Sequence, residues 1–87
     1  MPEISRFFGI VIYFYFKDHF PPHFHAVHEN DEALISIETG NIIKGELPRS
    51  KEKLIAAWVE IHREELMFNF NESQKDSPSF KKINPLI

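Results

Sequence analysis

Phe7-Phe8-Gly9-Ile10-Val11-Ile12-Tyr13-Phe14-Tyr15-Phe16-Lys17 is the stretch on which the reading of the fold turns. Ile10, Ile12, Phe14 and Phe16 alternate with Val11, Tyr13, Tyr15 and Lys17, and a period of two is the mark of a β-strand. One face is wholly apolar; the other is amphipathic, with two phenol hydroxyls. The β-branched and aromatic content agrees. The apolar run is too short for a membrane span and lacks the basic flank and small-residue cleavage site of a secretory signal. No membrane partner is expected.

Outward from that strand, Asp18-His19-Phe20-Pro21-Pro22 ends the ladder, because proline has no N–H to donate and restricts the residue before it. His23 to Glu29 reads as a second strand and Asn30-Asp31 as a turn. Glu32 to Thr39 reads as a third strand, with Ala33, Ile35 and Ile37 on one face. Gly40-Asn41 is a two-residue hairpin signal before a short fourth strand, Ile42 to Glu46. Pro48 and Ser50 mark a helix start, with Ser50 as the N-cap. Leu54, Ile55, Trp58, Ile61, His62 and Leu66 then recur at helical spacing to about Phe70, with Glu60, Arg63 and Glu64 on the opposite side. The expected fold is α+β: a small antiparallel sheet of three or four strands (7–46) packed against one main amphipathic helix (50–70). A linker and C-terminal tail (71–87) complete a single domain spanning 1–87. The tail's apolar residues are expected to dock on the body or on a partner.

Composition bounds the function. Eighty-seven residues, 43% hydrophobic and 26% charged, make one globular domain and exclude wholesale disorder. The absence of Cys excludes a disulfide framework, a thiolate zinc site and a cysteine nucleophile, and makes the cytoplasm the default location. A net charge of −3 argues against an unspecific nucleic-acid coat but leaves room for a local basic patch. Nothing resembles a nucleophile elbow, a P-loop or a Gly-rich phosphate cradle, and Glu64-Glu65 reads as a solvated helix face.

Four of the five His, His19, His23, His25 and His28, lie within ten residues, beside Asp18. On an extended segment His23 and His25 point to one face, with Cβ atoms roughly 6–7 Å apart. Two imidazoles so placed can share a divalent ion such as zinc or nickel, and Asp18 or His19 can add a ligand if the Pro-Pro bend folds the loop back. His28 falls on the other face of a regular strand. The plainer alternative has His25 hydrogen-bonded among aromatics, with His23 and His28 exposed. A metal-free alternative uses the imidazoles, near Tyr13, Tyr15 or Lys17, as general acid and base. His62 reads as a core-edge residue hydrogen-bonded to the sheet, unless it faces His23 and His25 and completes the site.

The residues also carry a family resemblance. Ile4 to Ile12 followed by Asp18-His19-Phe20-Pro21-Pro22-His23-Phe24-His25 is similar to the start of the bacterial domain-of-unknown-function family 4160. Ile37-Glu38-Thr39-Gly40, Gly45-Glu46-Leu47-Pro48, Trp58 to Leu66 and Lys81 to Leu86 extend the similarity. The resemblance implies a small bacterial protein without an established activity, with a toxin–antitoxin-like gene pairing as one expectation.

Two classes of function follow. In the first, the chain is a partner-binding or regulatory module rather than an enzyme, with no resident cofactor, and it meets a small protein partner or a second copy. Phe68, Phe70 and the apolar tail suit such a contact. Nucleic acid is a further partner class, with Arg6, Arg49, Lys51, Lys53, Lys81 and Lys82 as phosphate contacts, although the net charge does not point to it. In the second, the Asp18–His28 loop is the site of a small His-based enzyme, a metal-dependent hydrolase or a metal-independent ribonuclease. Its catalytic candidates are His23, His25 and His62, and its metal-ligand candidates are Asp18, His19, His23 and His25.

Overall fold

The Phe7–Lys17 stretch does not run as one strand. Phe8 and Gly9 both take left-handed backbone angles, φ 50° and 76°, and fold the chain into a two-residue hairpin turn. The turn separates β1 (Glu3–Phe7) from β2 (Ile10–Tyr13), with Phe7 opposite Ile10. A side chain such as Phe8 adopts that angle at a cost, so periodicity alone points to a continued strand there. The computed structural model describes residues 2–86.

Three further strands follow, β3 (His23–His28), β4 (Asp31–Ser36) and β5 (Ile42–Gly45), and all five form one antiparallel meander in chain order. The sheet therefore has one strand more than the upper expectation of four, the extra one being β1. The turn after β3 is Glu29-Asn30, one residue earlier than expected, and His28 faces Asp31 in register. The link from β4 to β5 is longer than a two-residue turn: β4 ends at Ser36, and Gly40 N–H returns to Ser36 O at 2.8 Å.

The helix, α1 (Arg49–Ser73), begins at Pro48 with no side-chain cap, so Ser50 lies inside its first turn and does not cap it. Ile55, Trp58, Val59, Leu66 and Phe70 are buried at three- and four-residue spacing. Ile61 lies about 120° around the helix from that stripe and is exposed, not buried as its apolar character led one to expect. At His62 the backbone leaves helical angles (φ −116°, ψ 22°), which kinks the helix.

Ile10, Ile12, Phe14, Phe24, Ala26, Ala33 and Ile35 turn one face of the sheet toward α1. Trp58 is the centre of this core, with its ring 5.0 Å from Phe7 and 5.7 Å, edge to face, from Phe24. Phe16, expected on the apolar face, is exposed, because β2 ends at Tyr13 and the alternation stops after Phe14. The tail docks on the body. Asn69 exchanges two hydrogen bonds with the Lys81 backbone, Trp58 Nε1 donates to Asn84 O, and Ile83 N–H donates to Ile4 O. Among the described residues, no helix is long and apolar enough to cross a membrane.

Candidate metal centre

β3 sets two of the three central groups. Phe24 and Ala26 are fully buried toward α1, so strand alternation sends His23 and His25 to the other face. His25 sits between Tyr13 of β2 and Leu34 of β4 in register, and both imidazoles are nonetheless buried, at 4% and 6% exposure. The third group, Asp18, comes from the loop between β2 and β3. Within that loop Lys17, just before Asp18, has a left-handed conformation, φ 53°. Its hold is on the far end of the helix: Lys17 N–H donates to Ser73 O at 2.7 Å, and Gln74 Nε2 donates to Asp18 O at 2.9 Å. An ion pair between Lys17 and Asp76 at 2.8 Å adds a surface contact.

Asp18 Oδ2 lies 3.0 Å from His23 Nε2 and 2.7 Å from His25 Nε2. Asp18 Oδ1 accepts the His19 backbone N–H at 3.1 Å. His23 Nδ1 lies 2.8 Å from Pro21 O, and a carbonyl only accepts, so Nδ1 carries a proton. In the neutral ring, Nε2 of His23 is then a lone pair facing a carboxylate oxygen. His25 differs: its Nδ1 lies 3.3 Å from Glu32 Oε2, so an acidic oxygen faces each of its nitrogens and the ring can donate to either. The Tyr15 hydroxyl donates to the same Glu32 oxygen, and the Tyr15 ring stacks on the His25 ring at 3.8 Å and 9°.

Electrostatics follow from this arrangement. Burial alone would raise the Asp18 carboxyl, but the His25 hydrogen bond, the His19 N–H and the charges of His23 and His25 outweigh it and hold the group below its ordinary value. Asp18 is therefore an anion at neutral pH. Burial, then the charge and hydrogen bond of Glu32, push the Tyr15 phenol up, so it remains a neutral donor. His25 can donate its Nε2–H to Asp18, but with Nδ1 protonated toward Pro21 O the neutral His23 ring turns a lone pair on the same carboxylate oxygen. Either protons or a cation must lie between them.

The donor set fits a cation. Asp18, His23 and His25 each offer one ligand atom, and the three lie within 4.8 Å of one another. Tetrahedral zinc with bonds of about 2.0–2.1 Å spaces its ligand atoms about 3.3 Å apart, so Asp18 Oδ2 would have to draw back from both imidazoles, from 3.0 and 2.7 Å, to admit the ion. Both Nδ1 positions are already anchored on oxygen acceptors, Pro21 O and Glu32, which fixes each ring with Nε2 toward the common point. With protons in place of a cation, the same atoms form an Asp–His acid–base couple.

The other sequence candidates lie elsewhere. His19 is exposed and joins the group only through its backbone N–H. His28 lies on the opposite face of β3, beside the Phe8-Gly9 turn. His62 is not part of the cluster: its Nδ1 pairs with Glu65 at 2.5 Å and its ring packs 5.6 Å from Trp58. Glu32 and Gln74 were invisible to motif reading. Glu32 is on the His25 face with either turn, but only the Glu29-Asn30 turn sets it opposite Val27, one pair from His25, and Gln74 reaches Asp18 across 56 residues of sequence.

Residues 9–71 match the family Domain of unknown function (DUF4160). The chain belongs to this family. The match spans well over half of the chain and contains the whole Asp18–His28 segment, while Ile4–Phe8 and Lys81–Leu86 lie outside it. Comparison with curated proteins finds no match, and neither does comparison with solved structures.

Proposed function

We propose that this DUF4160 domain binds a divalent transition-metal ion, zinc or nickel in character, through Asp18 Oδ2, His23 Nε2 and His25 Nε2. The observation that carries the reading is convergence: His23 Nε2 and His25 Nε2 both lie against one Asp18 oxygen, at 3.0 and 2.7 Å, and the Pro21 carbonyl holds the His23 proton on Nδ1 so that its Nε2 offers a lone pair there. Borderline ions favour two imidazoles and one carboxylate over the all-oxygen sets that suit calcium or magnesium. The ion takes the place of the protons that would otherwise hold these groups together.

A role exercised through a protein partner belongs to the same proposal. Phe16 and Phe20, 55% and 74% exposed, flank Asp18 on its loop.

The test is calorimetric titration of untagged, chelator-stripped chain with zinc and, separately, cobalt. One ion per chain is expected, with His23→Ala and Asp18→Asn each weakening binding by more than the ~10–100-fold of an outer-sphere loss. Unchanged affinity in both variants would place the ion elsewhere. No binding in the wild-type chain leaves a proton-filled Asp–His couple in its place.

A further inference from the structure

The C-terminal end of α1 is tied to two other parts of the chain. On one side, Lys17 N–H donates to Ser73 O at 2.7 Å and Gln74 Nε2 donates to Asp18 O at 2.9 Å, which fixes the Asp18 loop. On the other side, the end of the helix binds the tail. Asn69 exchanges two hydrogen bonds with the Lys81 backbone, and Ser79 N–H donates to Glu72 Oε1 at 2.9 Å. Asn69 and Glu72 are both buried. A further contact bypasses the helix: the Phe80 ring stacks on that of Phe14, 6.0 Å away and four residues before Asp18. The tail has no helix or strand of its own, and Ile83 is its one buried apolar side chain among the described residues.

We infer that the tail is a strap that regulates the Asp18–His23–His25 cluster: docked, it secures the end of α1 and with it the Asp18 loop; undocked, it lets the helix end fray and Asp18 withdraw from the imidazoles. The last four carbonyls of a helix have no partner within it, and Ser73 O finds its partner in the loop. When the tail leaves, the Asn69 amide loses both partners and the Glu72 carboxylate loses one. Buried polar groups without partners are costly, and fraying of the last turn returns these to water. The same fraying breaks the bonds that Ser73 and Gln74 make to the loop. A tail held by so few contacts opens well before the sheet does. The coupling to the position of Asp18 stands on these contacts alone; its effect on ion affinity rests on the proposed metal binding.

Hydrogen exchange of the full-length, metal-free chain, followed amide by amide, tests the coupling. The His19 N–H, which Asp18 Oδ1 accepts at 3.1 Å, reports on the carboxylate directly, and the Lys17 N–H reports on the helix end. Ile83→Ala loosens the tail from its own side, and Asn69→Ala loosens it from the helix. In both variants Lys17 and His19 are expected to lose protection by about tenfold or more together with the tail, while the β2–β3 ladder stays protected. A tail that exchanges freely while Lys17 and His19 remain as protected as in the wild-type chain overturns the inference. So does an even loss across the β2–β3 ladder, and so does a tail that stays protected in both variants. Calorimetric titration with zinc is the second arm, in which Ile83→Ala is expected to bind about tenfold more weakly than wild type. Wild-type affinity in that variant overturns the regulation and leaves the metal site standing. Absence of zinc binding in the wild-type chain overturns the metal reading, and the exchange result alone then decides the coupling.

Discussion

Asp18 and His25 meet at 2.7 Å, Oδ2 to Nε2, although one belongs to a loop and the other to the central strand of the sheet. The contact is short because the opposite nitrogen of His25 is held by Glu32 and its ring is covered by Tyr15, so the imidazole cannot turn away. Asp18 is fixed from behind by Gln74. Removing Glu32 should thus be felt at the metal position without touching a ligand. Glu32→Gln is expected to lower zinc affinity by about tenfold with unchanged stoichiometry, and calorimetric titration checks it.

Metal binding should also appear as stability. An ion that binds only the folded chain adds about 2.7 kcal/mol when its free concentration is 100 times the dissociation constant. Thermal unfolding of the wild-type chain is expected to shift upward with zinc and return on chelation, whereas Asp18→Asn shows little shift. An equal shift in that variant would assign the stabilisation to other sites.

Gly45 and Gly9 separate a steric requirement from a conformational one. Both have positive φ, 84° and 76°, but a Cβ on Gly45 would lie 2.2 Å from the Glu32 carbonyl oxygen, whereas on Gly9 the nearest atom is 3.5 Å away. Gly9→Ala is expected to cost about 1–2 kcal/mol, the ordinary penalty of a left-handed residue. Gly45→Ala must also move the bulged β4–β5 pairing and is expected to cost more than about 3 kcal/mol. Chemical denaturation of the two variants would show comparable losses if the close approach were unimportant.

Asn69 holds the tail. It is fully buried, donating to Lys81 O at 2.8 Å and accepting Lys81 N–H at 2.9 Å. Asn69→Ala loses both bonds and strands two backbone groups, an expected loss of about 2–4 kcal/mol. Hydrogen exchange should show protection lost first at Lys81 and Ile83, while the β2–β3 ladder stays protected. Uniform loss would mean that the tail does not open separately.

Glu72 gives a pH signature at the same end of the helix. The Lys75 hydrogen bond and then the Ser79 N–H outweigh burial and hold its carboxyl below the usual range. The folded value is depressed, so its contribution is present above the unfolded value near 4 and is lost as pH falls through the folded one. The stability difference between wild type and Glu72→Gln is therefore expected to be constant from pH 7 to about 5 and to shrink below about 4. A difference that grew on acidification would reverse the assignment.

Periodicity and turn chemistry made much of the fold legible: an antiparallel meander, one amphipathic helix from the Pro48 region, and a short apolar tail. They hid the Phe8-Gly9 turn, because a bulky residue in a left-handed conformation has no compositional signal, and with it the first strand. They also overextended the buried stripe to Ile61, since being apolar does not by itself fix a residue's angle around a helix.

The candidate site divides in the same way. That His23 and His25 share a face follows from a two-residue spacing on a strand, a property the local sequence determines. That Asp18 meets both of them, while neighbouring His19 does not, follows from the helix end at Ser73 and Gln74 gripping Lys17 and Asp18 across more than fifty positions of chain. Local spacing sets the direction of a side chain relative to its own backbone. Only the packing of a helix terminus against a loop sets where that backbone stands, and here that packing decides which acidic oxygen lies between the two imidazoles.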